Sequence, residues 1–109
     1  MIAAITLNAS LDRRYVLPEV KSGGANRVQQ CACSAGGKGL NVARVIHQLG
    51  QPVVASGLVG GFLGQCLTHL LDGEGIRHRF ATCAEETRCC INVIDQRTGV
   101  QTEFLEPGM

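Results

Sequence analysis

The chain has 109 residues, 45% of them hydrophobic and 17% charged, with a net charge of +1, the balance of one modestly sized folded domain rather than a disordered segment. This near-neutral charge leaves no electrostatic footprint for nucleic acid, and one Tyr and three Phe are too few for the stacking platforms of single-strand binders. No apolar run reaches membrane-span length and the apolar start lacks a basic leader, so the expectation is a cytoplasmic protein with no membrane or nucleic-acid partner.

The first element in chain order is the run Ile2-Ala3-Ala4-Ile5-Thr6-Leu7, closed by Asn8, which reads as a strand buried on both faces. Roughly thirty residues then precede the first helical pattern, far more than a usual strand-to-helix loop. Within them, Arg13 to Leu17 and Asn26 to Cys31 read as two strands separated by Pro18 and Gly23-Gly24. A helix is predicted over 38–49, where Val42, Val45, Ile46 and Leu49 recur at i, i+3, i+4 and i+7 and Gly50 stops the pattern. Val53 to Val59 is a second buried strand. Leu63, Leu67, Leu70 and Leu71 mark a second helix ended by Gly73 and Gly75, and a third strand runs from Arg77 to Cys83.

Alternation of strand and helix is the mark of parallel α/β winding. The far end breaks that rhythm. From Arg88 to Ile94 the residues alternate, with Cys89, Ile91 and Val93 on one side and Arg88, Cys90 and Asn92 on the other; a hairpin at Gln96-Arg97-Thr98-Gly99 then leads into Val100 to Leu105. The fold class is therefore α/β: a partial parallel sheet with helices plus a small separate sheet, its four strands near 12–17, 26–33, 88–95 and 100–105.

The six cysteines include no C-x-x-C pair and no histidine at finger-like spacing, so they read as free thiols packed as small hydrophobes, with no metal site. His47, His69 and His78 lack an obvious catalytic neighbour in the sequence and read as surface or partly packed residues.

Gly36-Gly37-Lys38-Gly39-Leu40-Asn41-Val42-Ala43 opens the first predicted helix. Adjacent glycines allow close backbone approach, a helix N-terminus favours an anion, and Lys38 adds a full charge. The other reading is a flexible turn with a solvated lysine. Leu40 stands where a Walker A loop needs Ser or Thr, and G-x-x-G-G-x-x-G over Gly57 to Gly64 is not the dinucleotide spacing.

Together with Gly50 and Gly60, this run resembles the N-terminal signature of ribokinase-type (phosphofructokinase-B family) carbohydrate kinases. Thr6-Leu7-Asn8-Ala9-Ser10-Leu11-Asp12, Gly57 to Gly64, Thr87-Arg88 and Gln101 to Gly108 resemble the hexose-phosphate branch, which holds 1-phosphofructokinase and tagatose-6-phosphate kinase. Ala9 departs from the usual proline, and Cys89-Cys90 stands where Ile-Asn is more common. Gly61 replaces an aspartate common in ribokinases proper, which favours phosphosugars over free sugars.

The resemblance implies a ribokinase-like fold whose small sheet is a lid. It assigns Asp12 to sugar hydroxyls, with Gly37, Gly39 and Asn41 lining the same pocket; Lys38 and Arg88 contact the substrate's phosphate, and Arg27 assists from the lid. The residue types agree, since carboxylates accept from hydroxyls while lysine and arginine pair with phosphate oxygens. Taken alone, Asp12 also reads as a turn residue bonded to its own backbone and Arg88 as a solvated strand end, while Arg13, Arg14, Arg77 and Arg79 read as solvated charges.

The implied reaction is ATP- and magnesium-dependent phosphorylation of a hexose phosphate, with an aspartate of a late G-x-G-D motif as base. No such motif occurs here, so the expectation is an N-terminal portion with no catalytic residue or metal ligand of its own, binding no cofactor and inactive alone. The resemblance also implies a homodimer through the lid. The alternative is a truncated, non-catalytic sugar-phosphate-binding or dimerisation module.

Overall fold

The computed structural model of the chain describes residues 1–108. In chain order the elements are β1 (Ile2–Thr6), β2 (Ser10–Leu17), β3 (Gln30–Gly36), α1 (Lys38–Gln48), β4 (Val53–Val59), α2 (Gly61–Glu74), β5 (Arg77–Thr82), β6 (Arg88–Asp95) and β7 (Gln101–Leu105). They form a three-stranded parallel sheet in the order β1-β4-β5 and a four-stranded mixed sheet in the order β3-β2-β6-β7.

Both helices share one core with one face of the parallel sheet: Leu40 and Ala43 of α1 and Leu67 and Leu71 of α2 pack with Ala4, Val53, Ala55 and Val59. Small residues set the distance. A Cβ on Gly39 would collide with Thr6 and with the backbone of Ile5, so α1 lies directly against β1. That close approach also rotates α1 away from the sequence expectation. Val42, Val45 and Leu49 are 52%, 54% and 72% exposed, and the helix buries Leu40 and Ala43 instead. An i, i+3, i+7 apolar stripe shows that a helix is amphipathic, but Gly39 and Ala43 decide which side meets the sheet.

β1 departs from expectation in the same way. Its register with β4 puts Ala4 and Thr6 on the helix side and Ile5 on the other, where it is 64% exposed. The strand is therefore buried on one face. β5 and α2 match the predicted spans closely, and Gly75 ends α2 in the left-handed region at φ 74°.

In the mixed sheet, β2 runs parallel to β6, and antiparallel pairs flank them on both sides. β3 occupies Gln30–Gly36 rather than 26–33, because the Asn26 side chain holds a loop. Its Oδ1 accepts from the Lys21 N–H at 2.6 Å, and its Nδ2 donates to the Lys21 carbonyl at 2.8 Å. The β6–β7 turn is held by Asp95, whose carboxylate accepts from the N–H groups of Val20, Arg97 and Thr98. Those bonds, that from Val20 foremost, hold the Asp95 carboxyl below its ordinary range.

Of the cysteines, expected to pack as small hydrophobes, Cys31, Cys33 and Cys66 are exposed, Cys83 and Cys89 are half-buried, and Cys90 is buried. Of the histidines, His78 does have a carboxylate neighbour, with Nε2 at 2.6 Å from Asp72 Oδ1.

Candidate functional site

A cleft of about 430 Å³ opens where the mixed sheet meets the N-terminus of α1, and it brings together Asp12, Gly37, Lys38, Asn41 and Arg88. These residues are far apart in sequence and converge through strand register. Ser10 pairs with Gly36 on β3 and Arg88 on β6; Asp12 pairs with Ser34 and Cys90; Arg14 pairs with Ala32 and Asn92. Because side chains alternate along a strand, these three rows share one face of the sheet, which becomes a wall of the cleft.

Each predicted side chain has a local reason for its place. Asp12 accepts a 2.6 Å hydrogen bond from the Ser10 hydroxyl, which fixes the carboxylate while leaving acceptor positions open. A Cβ at Gly36 would overlap that carboxylate, so only glycine lets Asp12 lie flat against the turn. Gly37 adopts φ 129°, a conformation an L side chain rarely takes, and starts α1 without any side-chain cap. The first N–H groups of an uncapped eleven-residue helix thus point toward the cleft mouth beside exposed Lys38. Arg88 begins β6 directly after Thr87, which is clasped to Gly60: the Thr87 N–H donates to the Gly60 carbonyl at 2.9 Å and the Gly60 N–H donates to Thr87 Oγ1 at 3.0 Å.

Gly39 lines a second, smaller cleft of about 280 Å³ behind the first, together with Thr6, Asn8, Gly37, Lys38 and Arg88. Lys38 and Arg88 thus stand where the two clefts meet. Among the described residues Arg88 makes two long bonds, from Nη1 to the Glu106 carbonyl at 3.3 Å and from Nη2 to the Asn8 carbonyl at 3.4 Å. Among the described residues, three buried side-chain polar atoms have no hydrogen-bond partner: Thr6 Oγ1, Arg88 Nε and Asn92 Oδ1. All three residues border these clefts. Buried polar atoms are otherwise nearly always paired, so their concentration here sets these clefts apart.

Arg27 is the predicted residue that the fold does not bring in. It sits in the β2–β3 loop, lining a separate depression with Pro18, Glu19, Lys21 and Asn26. Conversely, Ser10, Arg14, Ser34, Asn92 and Glu103 line the main cleft without having been singled out. The alternation of β6 placed Asn92 beside Arg88, but nothing local shows that β6 pairs with β2. Arg14 reads as solvated for the same reason. No three His, Cys, Asp or Glu side chains among the described residues come together to hold a metal ion.

The model of the pfkB family carbohydrate kinases matches residues 5–107. The chain belongs to this family. Its fold also overlays on phosphofructokinase-2 from Escherichia coli in complex with fructose-6-phosphate, with a TM-score of 0.91 and 33% identity over 98% of this chain. A putative phosphofructokinase from Staphylococcus aureus gives a TM-score of 0.89 at 34% identity, and a possible 1-phosphofructokinase from Thermotoga maritima gives 0.89 at 33%, each over the whole of this chain. The chain spans 35% of the first two of these structures and 36% of the third. The two-sheet architecture is thus that of the ribokinase-like pfkB fold, a kinase fold, and no helix of the described residues is long and apolar enough to cross a membrane.

Proposed function

We propose that this chain forms the hexose-phosphate-binding wall and lid of a kinase that phosphorylates a hexose phosphate to a bisphosphate. The observation that carries this reading is the clustering of Thr6 Oγ1, Arg88 Nε and Asn92 Oδ1, unpaired and buried, around clefts where Lys38 and Arg88 stand at the α1 end and the Asp12 carboxylate lies one row further along the sheet. A hexose phosphate has that polarity. Asp12, steadied by Ser10, accepts from sugar hydroxyls, while Lys38, Arg88 and the α1 N-terminus take the phosphate. Fructose 6-phosphate, fructose 1-phosphate and tagatose 6-phosphate all fit this description, and the relative from E. coli was solved with the first.

In this reading the described residues serve the sugar phosphate, and the nucleotide with its metal is held elsewhere. Among the described residues no three His, Cys, Asp or Glu side chains gather, and Leu40 occupies the position where a phosphate loop would carry a hydroxyl. We therefore assign ATP, magnesium and the catalytic base to the part of the family's fold beyond the matched third, and expect this chain alone to bind without turnover. Titration calorimetry with the three sugar phosphates tests the binding. Heat of binding that responds to Lys38→Ala and Arg88→Ala supports the assignment, and indifference to both overturns it. Measurable ATP-dependent phosphorylation by the purified 109-residue chain would overturn the division of labour.

A second feature bears on assembly. The opposite face of the lid sheet is apolar, with Tyr15, Leu17, Val93 and Phe104 around a cleft closed by Val20 and Val28. Phe104 is 60% exposed there. A four-stranded sheet that leaves one face so uncovered supports pairing of two lids across a two-fold axis.

A further inference from the structure

Arg44 is not among the residues lining the cleft, yet two of its four hydrogen bonds reach toward it. Nε donates to Glu74 Oε1 at 2.6 Å and Nη2 to Glu74 Oε2 at 3.0 Å, a two-pronged pair between α1 and the last residue of α2. Nη2 also donates to the Ala35 carbonyl at 2.9 Å, and Nη1 donates to Asn41 Oδ1 at 3.2 Å. A pair that merely joined two helices would need Glu74 alone. Of the other two acceptors, Asn41 lines the cleft and Ala35 lies between the cleft-lining Ser34 and Gly37.

Both contacts have a chemical consequence. A guanidinium carries five N–H donors in a rigid plane and no acceptor, so the atom of Asn41 facing it must be the carbonyl oxygen. The Asn41 Nδ2, with both its donors, is thereby turned away from Arg44 and left for a ligand. The Ala35 carbonyl stands immediately before Gly36-Gly37, a pair with no side chains of its own to fix it and no cap on the helix that follows. The β2–β3 ladder holds Ala35 and Gly36 from one side, and Arg44 adds a side-chain anchor from α1 on the other. Its bond to Glu74 raises the guanidinium's proton affinity above the ordinary value and holds the Glu74 carboxyl below its own, so the pair stays ionised at neutral pH.

We propose that Arg44, held by Glu74, is a positioning residue of this site, fixing the carbonyl before the glycine turn and presenting the Asn41 amide donor-first to a bound hexose phosphate. The identity of the ligand rests on the reading given above; the geometry does not.

The test is nitrogen-15 NMR of the 109-residue chain, following the Asn41 side-chain amide and the Gly36 and Gly37 backbone amides, free and titrated with fructose 6-phosphate. The wild type is compared with Arg44→Lys and Glu74→Gln. Lysine keeps the charge opposite Glu74, but its single nitrogen cannot span Glu74, Ala35 and Asn41 together. The expected result is a dispersed, folded spectrum for Arg44→Lys in which those three signals have already moved without ligand. Fructose 6-phosphate should then bind about fivefold or more weakly, the factor for one lost hydrogen bond. Glu74→Gln should move the same signals by less. Unchanged signals in Arg44→Lys, or full affinity with lysine in place, would overturn the proposal; should Arg44→Lys unfold, the same signals in Glu74→Gln decide it. A wild-type chain that ignores fructose 6-phosphate would refute the hexose-phosphate reading, while the ligand-free signals would still decide whether Arg44 fixes the turn.

Discussion

Lys38 and Arg88 differ in how they are held, and that difference shapes what each contributes. Lys38 is exposed at the first residue of α1, whereas Arg88 is half-buried with Nε unpaired. Replacing either with alanine should weaken sugar-phosphate binding by about 1.5–3 kcal/mol, the range for a charge-assisted hydrogen bond, as read by calorimetry. Lys38→Ala should leave the melting temperature nearly unchanged, because a solvated side chain takes little from the fold. Glycines carry the opposite emphasis. Gly57 has φ 145°, and a Cβ there would run into the Thr6 backbone across the β1–β4 pairing. Gly57→Ala should cost stability by about 3 kcal/mol, from strain and overpacking together, seen as a lower midpoint in urea. A midpoint within error of wild type would mean the two strands can part without cost.

At the scale of elements, two carboxylates tie the structure together, and both have depressed pKa values. Glu74 is lowered first by its hydrogen bond from Arg44, which joins α1 to α2. Asp95 is lowered first by the Val20 N–H and also by those of Thr98 and Arg97, which join the β6–β7 turn to the segment after β2. A carboxyl whose folded pKa lies below its unfolded value adds stability that is complete above the unfolded value. That stability is lost as pH falls through the folded one. The melting temperature should therefore be level near neutrality and decline below the ordinary Glu value of 4.5. Glu74→Gln should flatten part of the decline, and a decline of unchanged size would show that Arg44 and Glu74 do not stay paired in solution. Asp95→Ala should loosen the lid locally, speeding amide exchange at Val20, Arg97 and Thr98 while sparing the helices.

For the whole molecule, the exposed apolar surface matters most. The outer lid face presents Tyr15, Val93 and Phe104, and the parallel sheet leaves Ile5 and Leu7 open at 64% and 70%. Patches of this kind on a small chain favour association. Sedimentation should show a concentration-dependent dimer that Phe104→Asp converts to monomer, since a charge on that face cannot be buried unpaired. A wild-type monomer at high concentration would count against pairing through the lid. A dimer indifferent to Phe104→Asp would place the contact elsewhere, with the open face of the parallel sheet the next surface to test.

Periodicity by itself determined the order of elements, because α and β backbones impose different spacings on apolar residues and because Gly50, Gly75 and the 96–99 turn punctuate them. The Gly36-to-Ala43 run, read with Thr6 to Asp12, Gly57 to Gly64, Thr87-Arg88 and Gln101 to Gly108, pointed to the family and to seven residues, five of which share one cleft. Which side of an element meets the core was not legible. Gly39 and Ala43 turned α1 so that Val42, Val45 and Leu49 face outward, an outcome set by backbone contact with β1 rather than by the apolar stripe. The rest of the site waited on tertiary structure for a similar reason. Asn92 and Arg14 became neighbours only when β2 paired with β6, and Arg44 acquired its role only when Glu74 came within reach from the far end of α2. Local patterns record what each segment prefers. Pairing across such separations depends on the chain closing upon itself, which no short window of sequence contains.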